Sequence, residues 1–385
     1  MTTNFAAAMR RAALFTRAYD PVEATRIIQD ALAQQTGFQQ PAADSKRPTP
    51  LRLIDQKAEI IPSRTRHEPV QRKPLGDVLQ ILKEGKSRFR AFDTLRKRSV
   101  ATPPPPIADG AQFIARSFAC AAGARSYKLY IPASAPTRPN GLIVMLHGCK
   151  QNPDDFASGT AMNAVAETHG LMVVYPSQNS SANASSCWNW FSPADQMRDR
   201  GEPAIIAGIT RELISEFGIA DNRTFVAGLS AGGAMAAIMG RVYPDLYAGV
   251  GIHSGLAYGS ATDVMSAFAT MRGDAPRIAH APRARVRTIV LHGSSDGLVH
   301  PSNAERIVAQ AAPEHGLRKS APQRMHVNGR SCTRTDIANA DGSPIVEYWL
   351  IEGAGHTWSG GHPSGTYTDV SGPNASTEMV RFFLA

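Results

Sequence analysis

Five residues, Gly228-Leu229-Ser230-Ala231-Gly232, constrain this chain more than any other stretch. They follow a short apolar run, Thr224-Phe225-Val226-Ala227, and precede a helical run from Gly233 to Arg241. The pattern predicts a strand, a tight turn and a helix, with a serine at the apex. Glycines flank the serine because a side chain at either position would crowd a sharp turn. Such a turn lifts the serine Oγ out of the backbone. A serine hydroxyl is a weak nucleophile at neutral pH, so it needs a histidine base, and the base needs a carboxylate to fix its tautomer.

Both partners follow in the order Ser, Asp, His, which is the chain order of α/β-hydrolases. Arg287 to Gly293 reads as a buried strand, and the polar loop after it carries Asp296. Val346 to Ile351 reads as the last strand, and the Gly-rich loop after it carries His356. Ser230, Asp296 and His356 are therefore the expected nucleophile, acid and base. His292, His300 and His362 are weaker candidates for the base. His292 lies on or beside a strand and reads as a packed residue. Asp263, Asp274, Asp336, Asp341 and Asp369 are alternative acids, in polar stretches where a solvated carboxylate is the simpler reading. The oxyanion needs backbone donors, expected from the N–H groups of Ala231 and Cys149. Cys149 falls in the loop His147-Gly148-Cys149-Lys150-Gln151, after the strand Gly141 to Leu146, with His147 and Gln151 shaping the turn.

Four segments carry a resemblance to the polyhydroxybutyrate depolymerase-type esterase family. They are Leu146 to Gln151, Cys187-Trp188-Asn189-Trp190-Phe191, Gly228 to Gly233, and Gly355-His356-Thr357-Trp358-Ser359-Gly360-Gly361. Tyr367-Thr368-Asp369 with Gly372-Pro373 is similar too. The resemblance spans roughly residues 112 to 385. It implies an α/β-hydrolase that cleaves short-chain hydroxyalkanoate polyesters, their oligomers or related small esters, by way of an acyl-enzyme and without a metal or organic cofactor. The family is similar to feruloyl and acetylxylan esterases, so a carbohydrate esterase is the alternative. Substrate contacts are expected from His147, Gln151, Trp190, His253 and Trp358, with Trp358 in an apolar groove near Tyr258. Trp188 and Trp190 fit the groove or the core equally.

Strand and helix alternate through the second part of the chain, which predicts a mostly parallel sheet covered by helices on both faces. Phe113 to Ala119 and Arg125 to Ile131 read as a first hairpin, and Leu171 to Tyr175 as a short buried strand. Glu202 to Phe217 reads as the helix before the nucleophile strand, and Asn374 to Leu384 as the closing helix. Residues 107–385 are the expected catalytic domain.

Residues 1–106 differ in kind. Residues 1–100 hold 19 basic and 10 acidic side chains, whereas residues 101–385 hold 22 of each. The whole net charge of +9 thus sits in the first part, which suggests a separate role. Two helical stripes precede Gly37. A loose linker spans residues 39–74, a basic amphipathic segment follows to Arg98, and Pro103 to Pro106 make a stiff tether. Such an arm suits a granule surface, a packing or dimer contact, or, as a distant alternative, nucleic acid. No helix-turn-helix, RNA-binding or zinc-finger signature supports the last. No apolar run approaches the ~20 residues that span a bilayer. No apolar signal core follows the arginines of the first 20 residues, so a cytoplasmic enzyme is expected, with an extracellular one as the alternative. Cys120, Cys149, Cys187 and Cys332 show no zinc spacing. Cys149 and Cys187 are expected to lie close together. Four free thiols is the alternative in a reducing compartment.

Overall fold

The computed structural model describes residues 105–274, 286–312 and 316–385. The basic region to Pro104, with the expected helical stripes and half of the proline tether, lies outside the described residues.

One eleven-stranded sheet organises the rest. β1 (Gln112–Cys120) and β2 (Gly123–Ile131) form the expected antiparallel hairpin. β2 pairs antiparallel with β4 (Leu171–Pro176). From there the sheet is parallel through β3 (Gly141–Leu146), β5 (Thr224–Leu229), β6 (Gly249–His253), β7 (Arg287–Gly293) and β11 (Pro344–Ile351). β3, β4, β5 and β6 are buried at every residue, as strands covered on both faces must be. The strand order is β1-β2-β4-β3-β5-β6-β7-β11, completed by β8 (Arg318–Lys319), β9 (Gln323–Val327) and β10 (Arg330–Ala338).

Two apolar layers cover this sheet. On one side Val144, Val226, Val250 and Val290 meet the helices Gly201–Phe217 and Ala231–Val242, through Ile206, Ile209, Met235 and Met239. On the other, Ile143, Phe225 and Ile289 meet Met379, Phe382 and Phe383 of the closing helix Ala375–Leu384, which Asn374 caps. This is the α/β-hydrolase fold. Alternation along each strand decides which layer a residue joins. Burial of these two layers supplies the main driving force for folding.

The antiparallel extension from β8 to β10 was not legible as such. Its exposed and half-exposed polar residues, such as Arg318, Arg324 and His326, hide the period that marked the central strands. Among the described residues no helix is long and apolar enough to cross a membrane.

Candidate active site

The serine turn is made by close packing. β5 ends at Leu229, Ser230 takes φ 58° and ψ −120°, and the helix begins at Ala231. A non-glycine residue in that region costs about 1–3 kcal/mol and persists only where its surroundings impose it. Here they do. Ser230 N donates to His253 O at 2.9 Å, and Ala234 N donates to Ser230 O at 2.9 Å. A Cβ on Gly232 would stand 1.9 Å from Leu146 O, and one on Gly228 would stand 2.4 Å from Gly232 C. Only glycine fits either place. Ser230 is half-buried at the positive end of a twelve-residue helix, where developing negative charge is favoured.

The acid and base loops leave the carboxyl ends of β7 and β11, which are parallel neighbours. Ser294 N donates to Ile351 O at 2.9 Å and Ser295 N to Ala354 O at 3.0 Å, which fastens the two loops together. Asp296 Oδ1 accepts from Leu298 N and Val299 N, both at 2.9 Å. Its Oδ2 lies 2.8 Å from His356 Nδ1. A carboxylate oxygen accepts, so Nδ1 carries the hydrogen and Nε2 keeps the lone pair. Burial pushes the Asp296 carboxyl up. The hydrogen bond from His356, the electrostatic influence of the His356 and His292 rings, and the Val299 N–H outweigh it and hold the carboxyl below its ordinary value. Tyr367, with φ 53°, stands edge-on to His356 at 6.5 Å between ring centres.

The turn after β3 is held at every other amide. Gly148 N donates to Gln151 Oε1 at 2.9 Å, Lys150 N to Ser185 O at 2.9 Å, and Gln151 N to Gly148 O at 3.3 Å. A Cβ on Gly148 would stand 3.6 Å from Ser230 Cβ, so this turn faces the serine. A disulfide joins Cys149 to Cys187, as their expected proximity allows. Cys120 and Cys332 are free thiols.

The rival groups are engaged elsewhere. His300 and His362 are exposed, and the Nδ1 of each meets a serine hydroxyl two residues on. Asp263 caps a helix, Asp274 pairs with Arg272, Asp336 with Arg334 and Asp369 with Arg330, and Asp341 accepts from Ser343.

The five side chains expected on the substrate turn inward. His147, Gln151, Trp190, His253 and Trp358 are all buried, none more than 6% exposed. This corrects the groove reading for Trp358. Its loop folds back as β12 (Trp358–Ser359) beside β13 (Thr368–Asp369). That pairing draws the indole under Phe156 and His253, with Nε1 donating to Ser376 Oγ at 3.2 Å. His253 Nε2 accepts from Ser359 N at 3.2 Å. Burial, the main cause, with the neighbouring His292 and His356 rings, pushes His253 down to about 3. His147 donates from Nδ1 to Gly148 O at 2.8 Å and accepts at Nε2 from Gln178 N at 3.1 Å, and burial takes it down to about 4. Trp188 is core as well, donating from Nε1 to His147 O at 3.1 Å. Tyr258 stays half-buried.

Two supporting carboxylates escaped the sequence reading. Asp155 accepts from Gln151 Nε2 at 2.9 Å and from Thr366 N at 2.8 Å, which ties the turn after β3 to the segment bearing Tyr367. Glu202 accepts from Asn189 N at 2.7 Å and from Gln178 Nε2, beneath the Cys187 strap. Each sits in the first turn of a helix, where an acidic residue is ordinary, so neither carried a distinguishing signal. Among the described residues no cluster of His, Cys, Asp or Glu could hold a metal ion.

A family model described as esterase PHB depolymerase matches residues 125–331, more than half of the chain. Poly(3-hydroxyalkanoate) depolymerase C of Paucimonas lemoignei is 35% identical over 241 residues, covering 59% of this chain and 56% of that protein. Feruloyl esterase B of Neurospora crassa is 28% identical over 246 residues, covering 59% of this chain and 81% of that one. The solved acetyl xylan esterase from Aspergillus awamori shares the fold, with a TM-score of 0.50 at 22% identity over 64% of this chain and 93% of that chain. The chain spans about half the length of the depolymerases it matches.

Proposed function

We propose that this chain, which belongs to the PHB depolymerase family of esterases, is a serine hydrolase of carboxylic esters. Its substrates are short-chain hydroxyalkanoate polyesters or their oligomers. The observation that carries the reading is the 2.8 Å bond from His356 Nδ1 to Asp296 Oδ2, on loops that leave the same carboxyl end of the parallel sheet as the strained Ser230. Ser230 Oγ attacks the ester carbonyl, and its proton passes to His356 Nε2. The imidazolium is stabilised by Asp296. The N–H groups of Ala231 and Cys149 receive the oxyanion. The C–O bond breaks, His356 returns the proton to the departing alcohol, and the acyl group stays on Ser230. Water then attacks the acyl-enzyme with His356 again as base, releasing the acid and restoring Ser230.

A second reading, a carbohydrate esterase, draws support from the likeness to feruloyl esterase B. One substrate panel separates the two: hydroxybutyrate oligomers, amorphous polymer, methyl ferulate and acetylxylan, with butyrate and palmitate esters for chain length. Fastest turnover of the oligomers and a preference for butyrate support the polyester reading. Fastest turnover of ferulate or acetylxylan replaces it, and a preference for palmitate points to a lipase.

The Cys149–Cys187 disulfide favours an oxidising compartment over the cytoplasmic one expected from the sequence. The division into residues 1–106 and a catalytic domain of residues 107–385 is retained as a proposal, with the basic region carrying the enzyme to an acidic or lipid-coated polymer granule. Removal of residues 1–104 should keep turnover of soluble esters and abolish salt-sensitive granule binding. Equal binding by the truncated chain ends that proposal.

A further inference from the structure

The acid of the site has a second imidazole on it. His292, at the carboxyl end of β7, is fully buried. Its Nε2 lies 2.8 Å from Val299 O and 3.4 Å from Asp296 Oδ2. Oδ2 is the oxygen that holds His356 Nδ1. A carbonyl oxygen only accepts, so His292 Nε2 carries the hydrogen and donates it to Val299 O, with Asp296 Oδ2 alongside at ion-pair distance and not hydrogen-bonded. Its Nδ1 is buried and meets no hydrogen-bond partner among the described residues. Such a nitrogen is costly inside a protein and asks for an explanation. The neighbouring positions on β7 are Ile289, Val290 and Leu291, all apolar. Packing alone would be met by another aliphatic side chain, at no cost in unpaired nitrogen.

We propose that His292 is a positioning residue: a neutral donor that fixes the Asp296 loop and aims Oδ2 at His356. The inference rests on the esterase reading above and deepens it. Protonation of His292 would place a hydrogen on Nδ1, where no acceptor faces it. Burial works in the same direction and holds this ring below its ordinary value. The ring therefore shares the carboxylate charge without competing for the proton that moves in the reaction. The other titratable groups bearing on it are Asp296, His356, His253 from β6, and the exposed His300. Without the Nε2–H, Val299 O loses its donor and the Asp296 loop its tie to β7, and the positive end of the N–H dipole beside Oδ2 is gone, so the carboxylate charge falls more fully on the imidazolium. Orientation suffers, and the acid limb of the pH profile moves upward.

The test uses the full chain with the variants His292→Leu and His292→Gln, each checked for folding by circular dichroism. In His292→Leu we expect kcat to fall about tenfold, the upper scale of one lost hydrogen bond. KM should stay within about twofold. The acid limb of kcat/KM should rise by about half a pH unit or more. His292→Gln, whose amide nitrogen takes the place of Nε2 as a neutral donor to Val299 O, should recover most of kcat and the acid limb. If His292→Leu does not fold, His292→Asn replaces it, because its amide sits at the level of Nδ1 and stops short of Val299 O. A wild-type acid limb in the donor-less variant, or equal losses in the Gln and donor-less variants, overturns the proposal. Either outcome in an enzyme that still requires Ser230 defeats this inference alone. Turnover that survives Ser230→Ala defeats the esterase reading itself.

Discussion

Gly232 is pressed against the end of β3: a Cβ there would stand 1.9 Å from Leu146 O and 2.6 Å from His147 O. The turn that exposes Ser230 and the turn that carries Cys149 are therefore one packed unit. Gly232→Ala should force them apart. A lowered unfolding free energy of about 1–3 kcal/mol is expected, the range for overpacking a tight interior. Turnover should fall more than stability does, because both the nucleophile and the oxyanion donors move. Urea unfolding and chromogenic ester turnover, measured together, check this. A Gly232→Ala enzyme with unchanged turnover would contradict the packing account.

The Cys149–Cys187 disulfide closes a segment with a sequence separation of 38. Loop entropy gives such a link about 4 kcal/mol of stability. It also holds the Cys149 amide against the strap that bears Trp188. Dithiothreitol should lower the melting temperature and reduce kcat in parallel, with both recovered on reoxidation. A melting temperature that ignores the reductant would show that the link contributes nothing.

Acid should unfold this protein earlier than its carboxylates alone would dictate. His147 and His253 titrate at about 4 and about 3 in the folded chain, against about 6.5 when unfolded. Between those values the unfolded chain binds more protons, so stability is full above about pH 6.5 and falls as pH drops toward 4. Asp296, held below its ordinary value, adds a loss in the same direction at lower pH. Unfolding near pH 5 should take up roughly two protons or more, read from the slope of stability against pH. A flat stability between pH 7 and 4.5 would contradict the buried, neutral state of these rings.

The sequence showed most where local sterics leave one solution. Gly228 and Gly232 announced the serine turn because no other residue fits there. The strand from Gly141 to Leu146 is apolar throughout and the one from Arg287 to Gly293 has an apolar centre, Ile289-Val290-Leu291, as covered strands should, and their bounds agree with the structure. What stayed hidden depends on contacts between distant segments. Asp155 meets Thr366 across 211 positions, and no local pattern records such a pair. Trp358 looked like a groove residue because it neighbours His356, but the pairing of β12 with β13 turns it inward. His292 reads as a packed strand residue, and only the return of the Asp296 loop brings Val299 O to its Nε2 and Asp296 Oδ2 beside it.

The central claim is that Ser230 is the nucleophile of an ester hydrolase. Its most direct test is turnover of a chromogenic butyrate ester by the full chain and by Ser230→Ala, with folding confirmed by matching melting curves. Loss of kcat by about 10³-fold or more, at unchanged stability, is the predicted result. Near-normal turnover by a folded Ser230→Ala chain would contradict it.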